Sequence, residues 1–257
     1  MQEIAEYPLM LISLMLWHYR FRGDRVFLKR NYDAACTLLD SYRNDYERDG
    51  LLCELDKWCV VEWPANFQDG YDVDIREGKV CHEPHVAINA YYCEAVRCVN
   101  LMAGILGIEV YRDEEPLRKA FLNAFYDTER KLFRDSVKTE HVSYIGNVFA
   151  FAFGLCPDEE SRQNVLEMIE DRGISDVSMF GSFPLMYGLV RFGRMDLVER
   201  FLADDQAWHR MLREGATTTF EGWGKDTKWN TSLFHMTLSD GAVFLADVDL
   251  EKLFSIE

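Results

Sequence analysis

The sequence predicts an all-α fold made of repeated helical hairpins, the arrangement of an α/α toroid. Two observations lead to this prediction: apolar residues recur at helical spacing through most of the chain, and short Gly-containing turns separate an apolar helix from a more amphipathic one. A solenoid of tetratricopeptide type has a similar rhythm, but unequal hairpin lengths and missing small-residue signatures disfavour it. Because no low-complexity linker interrupts the pattern, we expect one domain over residues 1–257.

The first half of the chain predicts two helical hairpins joined by an extended crossing. Gly23-Asp24 ends one apolar helix, and Asp24 can cap the next one. Acidic residues precede Pro116, as is typical of a helix N-terminus, so we expect the fourth helix to begin there and to carry Leu132. The predicted segments are a helix over 3–21, a helix over 24–48, short strands over 51–63, a helix over 84–106 and a helix from about 113 to 132.

The second half continues the alternation of helix and turn. Asp158 can cap a helix whose first turn contains Glu159 and Glu160, and Gly193-Arg194 separates two further helices. A short peripheral segment is expected over 248–257. The predicted helices are 145–155, the helix that follows Asp158, 178–192, 195–212 and 232–245.

Composition restricts the class of function. Hydrophobic residues make up 48% of the chain and aromatic residues 14%, so we expect a globular protein. The formal net charge of −16 argues against a nucleic-acid partner, because phosphate binding needs a basic surface, and it fits a neutral or cationic ligand. Glu3 and Glu6 interrupt the apolar start of the chain, which predicts a buried helix and neither a signal peptide nor a membrane span.

Two groups of cysteine, histidine and acidic residues could in principle bind a metal, but the spacing of the residues argues against a metal site in both groups. The candidate zinc ligands are Cys81, His82 and His85, and the candidate calcium ligands in the loop over 64–83 are Asp69, Asp72 and Asp74. The zinc set lacks a second ligand pair, and the acidic loop lacks the calcium-loop pattern. Seven cysteines without a CxxC pair are typical of free thiols in a reducing compartment. We therefore expect no metal, no cofactor and a cytoplasmic location.

The most chemically specific stretch runs from Glu214 to Trp223. Its three consecutive threonines and its glycine disfavour a helix, so we expect an extended loop that presents Glu221. Phe220 and Trp223 flank this carboxylate. Aromatic ring faces suit the apolar C–H surface of a sugar, and a carboxylate suits its hydroxyls or a water molecule, so the stretch predicts a carbohydrate site. The alternative is an ordinary surface loop with one glutamate.

Several motifs, collinear over most of the chain, resemble one family of glycosidases. Residues 215–223 read G-A-T-T-T-F-E-G-W, and residues 232–235 read S-L-F-H. Other motifs are L-W-H-Y and G-D within 16–24, V-E-W at 61–63, N-A-Y-Y-C-E-A at 89–95, E-H and F-G-L within 140–155, and F-G-S at 180–182. The sequence thereby resembles the bacterial α-L-rhamnosidases of glycoside hydrolase family 78. This resemblance implies the (α/α)6 toroid of the six-hairpin glycosidases.

The resemblance also implies roles for individual residues. Glu221 corresponds to the general base of an inverting glycosidase, in which an ionised carboxylate activates water while a second carboxyl group protonates the leaving oxygen. His235 corresponds to a residue that binds the sugar; the alternative is a buried structural histidine. The other implied substrate-binding residues are the aromatic residues Trp63, Trp223 and Phe220, and Glu62, where the family more often has aspartate.

Three departures from the family pattern affect this interpretation. Phe220 replaces the usual tryptophan and lacks its N–H donor. Glu221 and His235 are 235 − 221 = 14 residues apart, which is fewer than is usual in the family. The family's general-acid segment has no counterpart in this sequence. We therefore expect a barrel that is incomplete at the N-terminus, with the missing acid upstream of residue 1.

Taken together, these features imply a hydrolase that removes terminal α-L-rhamnose from glycosides or polysaccharides. Two alternatives stay open at this point: a non-catalytic carbohydrate-binding or interaction remnant, and another activity of the six-hairpin class. An incomplete barrel exposes apolar inner faces, for example Leu9 to Trp17, so we also expect self-association, or a missing N-terminal segment as the partner.

Overall fold

The computed structural model describes residues 3–61, 63, 75–76, 79–80, 83–246 and 248–254. Most of these residues are helical, and the described strands form short antiparallel pairs. The chain divides into two compact units. The first comprises Met1–Val60, Tyr71–Val142 and Glu257, and the second comprises Val61–Gly70 and Ser143–Ile256. The predicted single domain over 1–257 stays a prediction.

Helical hairpins form the first unit, as the sequence predicts. Its described helices are α1 (Glu6–Arg22), α2 (Arg25–Tyr46), α3 (Val86–Leu106) and α4 (Glu115–Phe125). Helix α3 contacts α1, α2 and α4, and two thirds of its length consists of buried residues. A helix that is apolar on most sides must lie between other elements, which explains its position in this unit.

The turn between α1 and α2 has the conformation that its sequence predicts. Gly23 adopts a left-handed φ of 68°, which glycine reaches without a steric penalty. The Asp24 carboxylate accepts a hydrogen bond from the backbone N–H of Phe27 at 2.8 Å. This contact satisfies one of the free donors at the start of α2 and fixes where the helix begins.

A buried amide joins α3 to the short strands that follow α2. These strands, β1 (Glu47–Arg48) and β2 (Leu51–Leu52), pair in antiparallel register. The Asn89 side chain accepts from the Leu52 N–H at 2.7 Å and donates to the Leu52 carbonyl at 3.1 Å. The predicted extended crossing is thus confirmed here, and a second short pair, β3 (Ile75–Arg76) and β4 (Lys79–Val80), lies within the predicted long loop.

The fourth helix is shorter than predicted. It ends at Phe125, and Leu132 lies instead in a hairpin between β5 (Tyr126–Asp127) and β6 (Leu132–Phe133). The Asp127 carboxylate accepts from the backbone N–H groups of Glu129 and Arg130, both at 2.9 Å. An aspartate that bonds its own turn in this way competes with helix formation, which explains the early end of α4.

The second unit contains the remaining helices. They are α5 (Tyr144–Ala152), α6 (Glu159–Arg172), α7 (Met179–Arg191), α8 (Met195–Leu202), α9 (Trp208–Arg213), α10 (Gly241–Leu245) and α11 (Leu250–Leu253). Helix α5 contacts α6 and α7, and α7 also contacts α8, α10 and α11. The predicted cap is confirmed, because the Asp158 carboxylate accepts from the Ser161 N–H at 2.8 Å.

Two predicted helices of this unit are wrong in extent. The helix expected over 195–212 is divided between α8 and α9, and the Asp204 carboxylate bonds the Gln206 N–H at 2.7 Å in the break. The helix expected over 232–245 is absent over its first half. There, 232–235 is extended, a 3₁₀ turn follows at Met236–Leu238, and only α10 is α-helical.

Two other observations concern the membrane and metal predictions. Within the described ranges, no helix combines the length and the apolar character that a bilayer crossing requires. The candidate ligands Cys81, His82, Asp69, Asp72 and Asp74 lie outside the described residues. His85 is described and is fully buried at the start of α3, where burial lowers its pKa to about 3, so its imidazole is neutral.

Candidate active site

Two extended segments of the second unit bring the rhamnosidase-like motifs together. The backbone N–H of Glu221 donates to the Ser232 carbonyl at 2.9 Å, and the N–H of His235 donates to the Thr219 carbonyl at 2.8 Å. The Thr219 hydroxyl also donates to the His235 carbonyl at 2.8 Å. The segments 219–221 and 232–235 therefore run side by side, and this pairing holds 232–235 out of a helix.

The Glu221 carboxylate is bound on one oxygen by two donors. Its Oε2 accepts from the Ser232 N–H at 3.0 Å and lies 3.0 Å from the Lys228 Nζ. Partial burial raises the pKa of Glu221, but the Ser232 N–H, Lys228 and Trp63 together lower it by more. The net pKa lies below the ordinary value, so the carboxylate is ionised at neutral pH.

Lys228 lies between this carboxylate and an aromatic ring. Its Nζ is 5.6 Å from the centroid of the Trp63 ring, within the range of a cation–π contact, and 3.0 Å from the Asn230 Oδ1. The side chains of Lys228 and Glu221 are 18% and 17% exposed, so this pair is partly shielded from water. Sequence reasoning missed Lys228, because a lone lysine in a loop forms no pattern.

The loop that carries Lys228 is anchored to α9. The Glu214 carboxylate accepts from the Lys225 N–H at 2.7 Å and pairs with Arg210 at 2.9 Å. Arg210 in turn pairs with Asp226. The Lys225 N–H and Arg210 hold the pKa of Glu214 below its ordinary value. Glu214, at the start of the predicted motif, therefore acts as a structural residue of this loop.

Two of the predicted sugar-binding aromatic residues are buried beneath the motif. Trp223 is 2% exposed, and its indole N–H donates to the Val177 carbonyl at 2.5 Å. Its ring meets that of Trp208 edge to face, with centroids 5.1 Å apart. Phe220 is equally buried. In this structure both rings support the loop from inside, and their predicted contact with a sugar stays a prediction.

The other predicted site residues differ in their exposure, and one of them lies outside the described residues. Trp63 is 46% exposed and is the predicted aromatic residue with accessible ring surface at this site. His235 is partly exposed, and the hydrogen bonds given for it involve its backbone. Glu62 lies outside the described residues. The described site thus consists of Glu221, Lys228 and Trp63, with His235 on the neighbouring segment.

An apolar cavity of about 380 Å³ lies beside the start of the motif. Its lining residues are Leu202, Trp208, His209, Met211, Leu212, Ala216, Thr217, Thr218, Thr219, Ser239, Gly241, Ala242 and Leu245. Threonine and serine are the main polar residues in this lining. Because the lining consists of other residues than Glu221, Lys228 and Trp63, the cavity is separate from the carboxylate.

Comparison with solved structures defines the fold. A family 78 rhamnosidase from Bacillus sp. GL1 matches with a TM-score of 0.74 and 17% identity, over 96% of this chain and 26% of that chain. The α-L-rhamnosidase of Streptomyces avermitilis, solved with L-rhamnose, matches with a TM-score of 0.62 and 21% identity, over 88% of this chain and 21% of that chain. A family 63 mannosylglycerate hydrolase from Thermus thermophilus, solved with glucose, matches with a TM-score of 0.64 and 13% identity, over 95% of this chain and 75% of that chain. The predicted fold class, all-α and of the six-hairpin glycosidase type, is confirmed.

Comparison with protein families then identifies the chain. The bacterial α-L-rhamnosidase six-hairpin glycosidase domain matches residues 2–247, and the chain belongs to this family. It therefore contains a rhamnosidase-like glycoside hydrolase domain. No curated protein matches it. The chain spans 26% of the length of the Bacillus rhamnosidase and 21% of that of the Streptomyces rhamnosidase.

Proposed function

We propose that this chain provides the water-activating half of an inverting glycosidase site for terminal α-L-rhamnose, with Glu221 as the general base. The observation that supports this most directly is the state of the Glu221 carboxylate. It is ionised, and its Oε2 is held by the hydrogen bond from the Ser232 N–H and by the ion pair with Lys228. An ionised carboxylate held in one orientation is what a general base requires.

The proposed reaction needs two carboxyl groups on opposite faces of the sugar ring. Glu221 takes a proton from a water molecule while the water oxygen bonds to the anomeric carbon. The bond from that carbon to the leaving oxygen breaks, and the leaving oxygen takes a proton from the second group. Attack from the opposite face inverts the anomeric configuration. The second group is not assigned to a residue of this chain.

Trp63 and His235 are the residues that we propose to bind the sugar. The exposed part of the Trp63 ring offers an apolar surface for sugar C–H groups, and it lies next to the Glu221 and Lys228 pair. His235 can bond hydroxyl groups from the segment that pairs with the motif. Glu62, next to Trp63 in sequence, completes the proposed set, and the buried Trp223 and Phe220 support the loop that presents Glu221.

Replacement of Glu221 by glutamine tests the proposed base. We expect Glu221→Gln to lower kcat on an aryl α-L-rhamnoside by ~10²–10⁴-fold, because the amide accepts no proton from water. L-rhamnose binding, measured by calorimetry, should change little, because the side chain keeps its shape. The anomer released first by the unsubstituted chain, observed by proton NMR, should be β.

Glu199→Gln, on the exposed surface of α8, is the matched control and should keep full activity. Unchanged turnover in Glu221→Gln would overturn the assignment. Rhamnose binding without any turnover by the unsubstituted chain would favour a carbohydrate-binding role, and preference for another aryl glycoside would favour another six-hairpin activity.

A further inference from the structure

The Lys228 ammonium group contacts an acidic, a polar and an aromatic side chain. The Nζ lies 3.0 Å from the Glu221 Oε2, 3.0 Å from the Asn230 Oδ1 and 5.6 Å from the centroid of the Trp63 ring. Carboxylate, amide oxygen and ring face together surround the ammonium group. A side chain fixed on all these sides holds its charge in one place, in contrast to an exposed lysine that samples many rotamers.

The backbone at Lys228 is also fixed. Its N–H donates to the Thr231 hydroxyl oxygen at 2.9 Å, and that hydroxyl donates to the Lys228 carbonyl at 2.8 Å. Earlier in the loop, the contacts of Lys225 with Glu214 and of Asp226 with Arg210 attach the chain to α9. The lysine is therefore presented by a loop with many internal bonds, which suits a positioning role.

Two of the donors on Glu221 act on the same oxygen. Lys228 and the Ser232 N–H both contact Oε2. Together with Trp63, which also bonds the carboxylate, they fix the rotation of this group. A general base needs this, because the water that it activates must be aligned with the reacting carbon.

We infer that Lys228 is a positioning residue that holds the ionised Glu221 through Oε2 in the orientation in which the carboxylate accepts the proton of the attacking water. This inference rests on the proposed function, since it assigns Lys228 to the same site. The positive charge of Lys228 also favours the carboxylate form of Glu221 over the neutral acid. The described groups that contact the carboxylate are Lys228, the Ser232 N–H and Trp63, and of these only Lys228 is charged.

A neutral replacement at this position provides the test. In the full 257-residue chain, we expect Lys228→Met to raise the pKa of Glu221, measured by NMR titration of ¹³C-labelled glutamate with Glu221→Gln to assign the signal. The acid limb of the kcat/KM profile on an aryl α-L-rhamnoside should move to higher pH by the same amount. Lys228→Arg keeps the positive charge, so the acid limb of its kcat/KM profile should stay near the pH at which the original protein shows it.

Lys225→Met is the matched control. It removes the same charge from the same loop, but Lys225 is exposed and its described contact is through the backbone N–H. A merely structural or general charge effect would shift both methionine variants alike. If circular dichroism shows that Lys228→Met is unfolded, Lys228→Gln gives the same comparison with a polar neutral side chain.

Two results would overturn the inference: a Glu221 pKa in Lys228→Met equal to that of the original protein, or equal shifts in both methionine variants. The NMR titration needs no turnover. Unchanged turnover in Glu221→Gln would therefore contradict the proposed function, while the titration would still decide whether Lys228 controls Glu221.

Discussion

At the scale of single residues, Asp240 is a second carboxyl group whose ionisation depends on its surroundings. It lies just before α10, and the Ser182 hydroxyl donates to its Oδ2 at 3.0 Å. Burial raises the pKa of Asp240 to about 7, although the hydrogen bond from Ser182 opposes this effect. The folded chain therefore holds Asp240 as the neutral acid at pH values where an unfolded chain would ionise it.

This difference predicts a pH dependence of stability. A group whose pKa is raised by folding stabilises the native state below its unfolded value, and the contribution is lost as the pH rises through the folded value of about 7. As the pH rises from 4 to 7, we expect the urea midpoint of the original protein to decrease by more than that of Asp240→Asn, in which the side chain stays neutral. Asp171→Asn, on an exposed site of α6, should keep the original slope; an equally steep slope in Asp240→Asn would contradict the prediction.

Lys228 and Glu221 show which part of the site the sequence cannot predict. Glu221 is found by its motif, because β-branched residues, a glycine and flanking aromatic residues mark the position locally. Lys228 comes seven residues later in an irregular loop, and it reaches the carboxylate only because the segments 219–221 and 232–235 pair and close the loop. No local periodicity encodes such a closure.

At the scale of elements, the close contact of α5 with α7 depends on a glycine. A Cβ on Gly188 would lie 2.8 Å from the Ala152 Cα and 3.0 Å from the Phe151 ring, so the helices could not keep their separation. We expect Gly188→Ala to lower the free energy of unfolding by about 1–3 kcal/mol in urea titrations. Gly104 in α3 has no atom within 4 Å of such a Cβ, so Gly104→Ala should be neutral or stabilising by up to about 1 kcal/mol.

The difference between local and distant contacts explains which helix ends can be predicted from the sequence. The helix starts at Asp24 and Asp158 follow from side chains that accept a hydrogen bond from the backbone three residues later. Such a contact is local, so a local sequence pattern identifies it. The early end of α4 follows from the turn that Asp127 bonds between β5 and β6. The extended segment 232–235 follows from pairing with 219–221, and pairing with a separate segment overrides helical periodicity there.

At the scale of the whole molecule, one face of α1 leaves apolar side chains in contact with water. Tyr7, Leu11 and Leu14 follow the helical spacing and are each about half exposed. We expect the protein to self-associate with rising concentration in light scattering, and more so at high salt, which screens the repulsion from the net charge of −16. Within the stretch Leu9 to Trp17, for which exposed apolar faces were predicted, Leu9, Ile12 and Leu16 are buried, so the self-association stays a prediction that now rests on Tyr7, Leu11 and Leu14.

Charge substitution on that face provides the test. Leu11→Lys combined with Leu14→Lys should reduce the concentration dependence of the scattered mass, because it places charges in the apolar stripe. The control is Ile108→Lys with Val110→Lys, two exposed apolar residues outside α1. A monodisperse monomer at all concentrations, or an equal effect of both pairs, would contradict the role of α1.

The position of Lys228 above the Trp63 ring also gives the site an optical signal of its own. Indole fluorescence depends on nearby charge and on contact with water. Trp63 is half exposed beside an ammonium group, whereas Trp223 is enclosed. Trp229 is 95% exposed, so Trp229→Phe removes the most exposed competing emitter. Binding of a sugar at Trp63 or displacement of Lys228 should then change the long-wavelength emission, which makes occupancy of the site measurable without a chromogenic substrate.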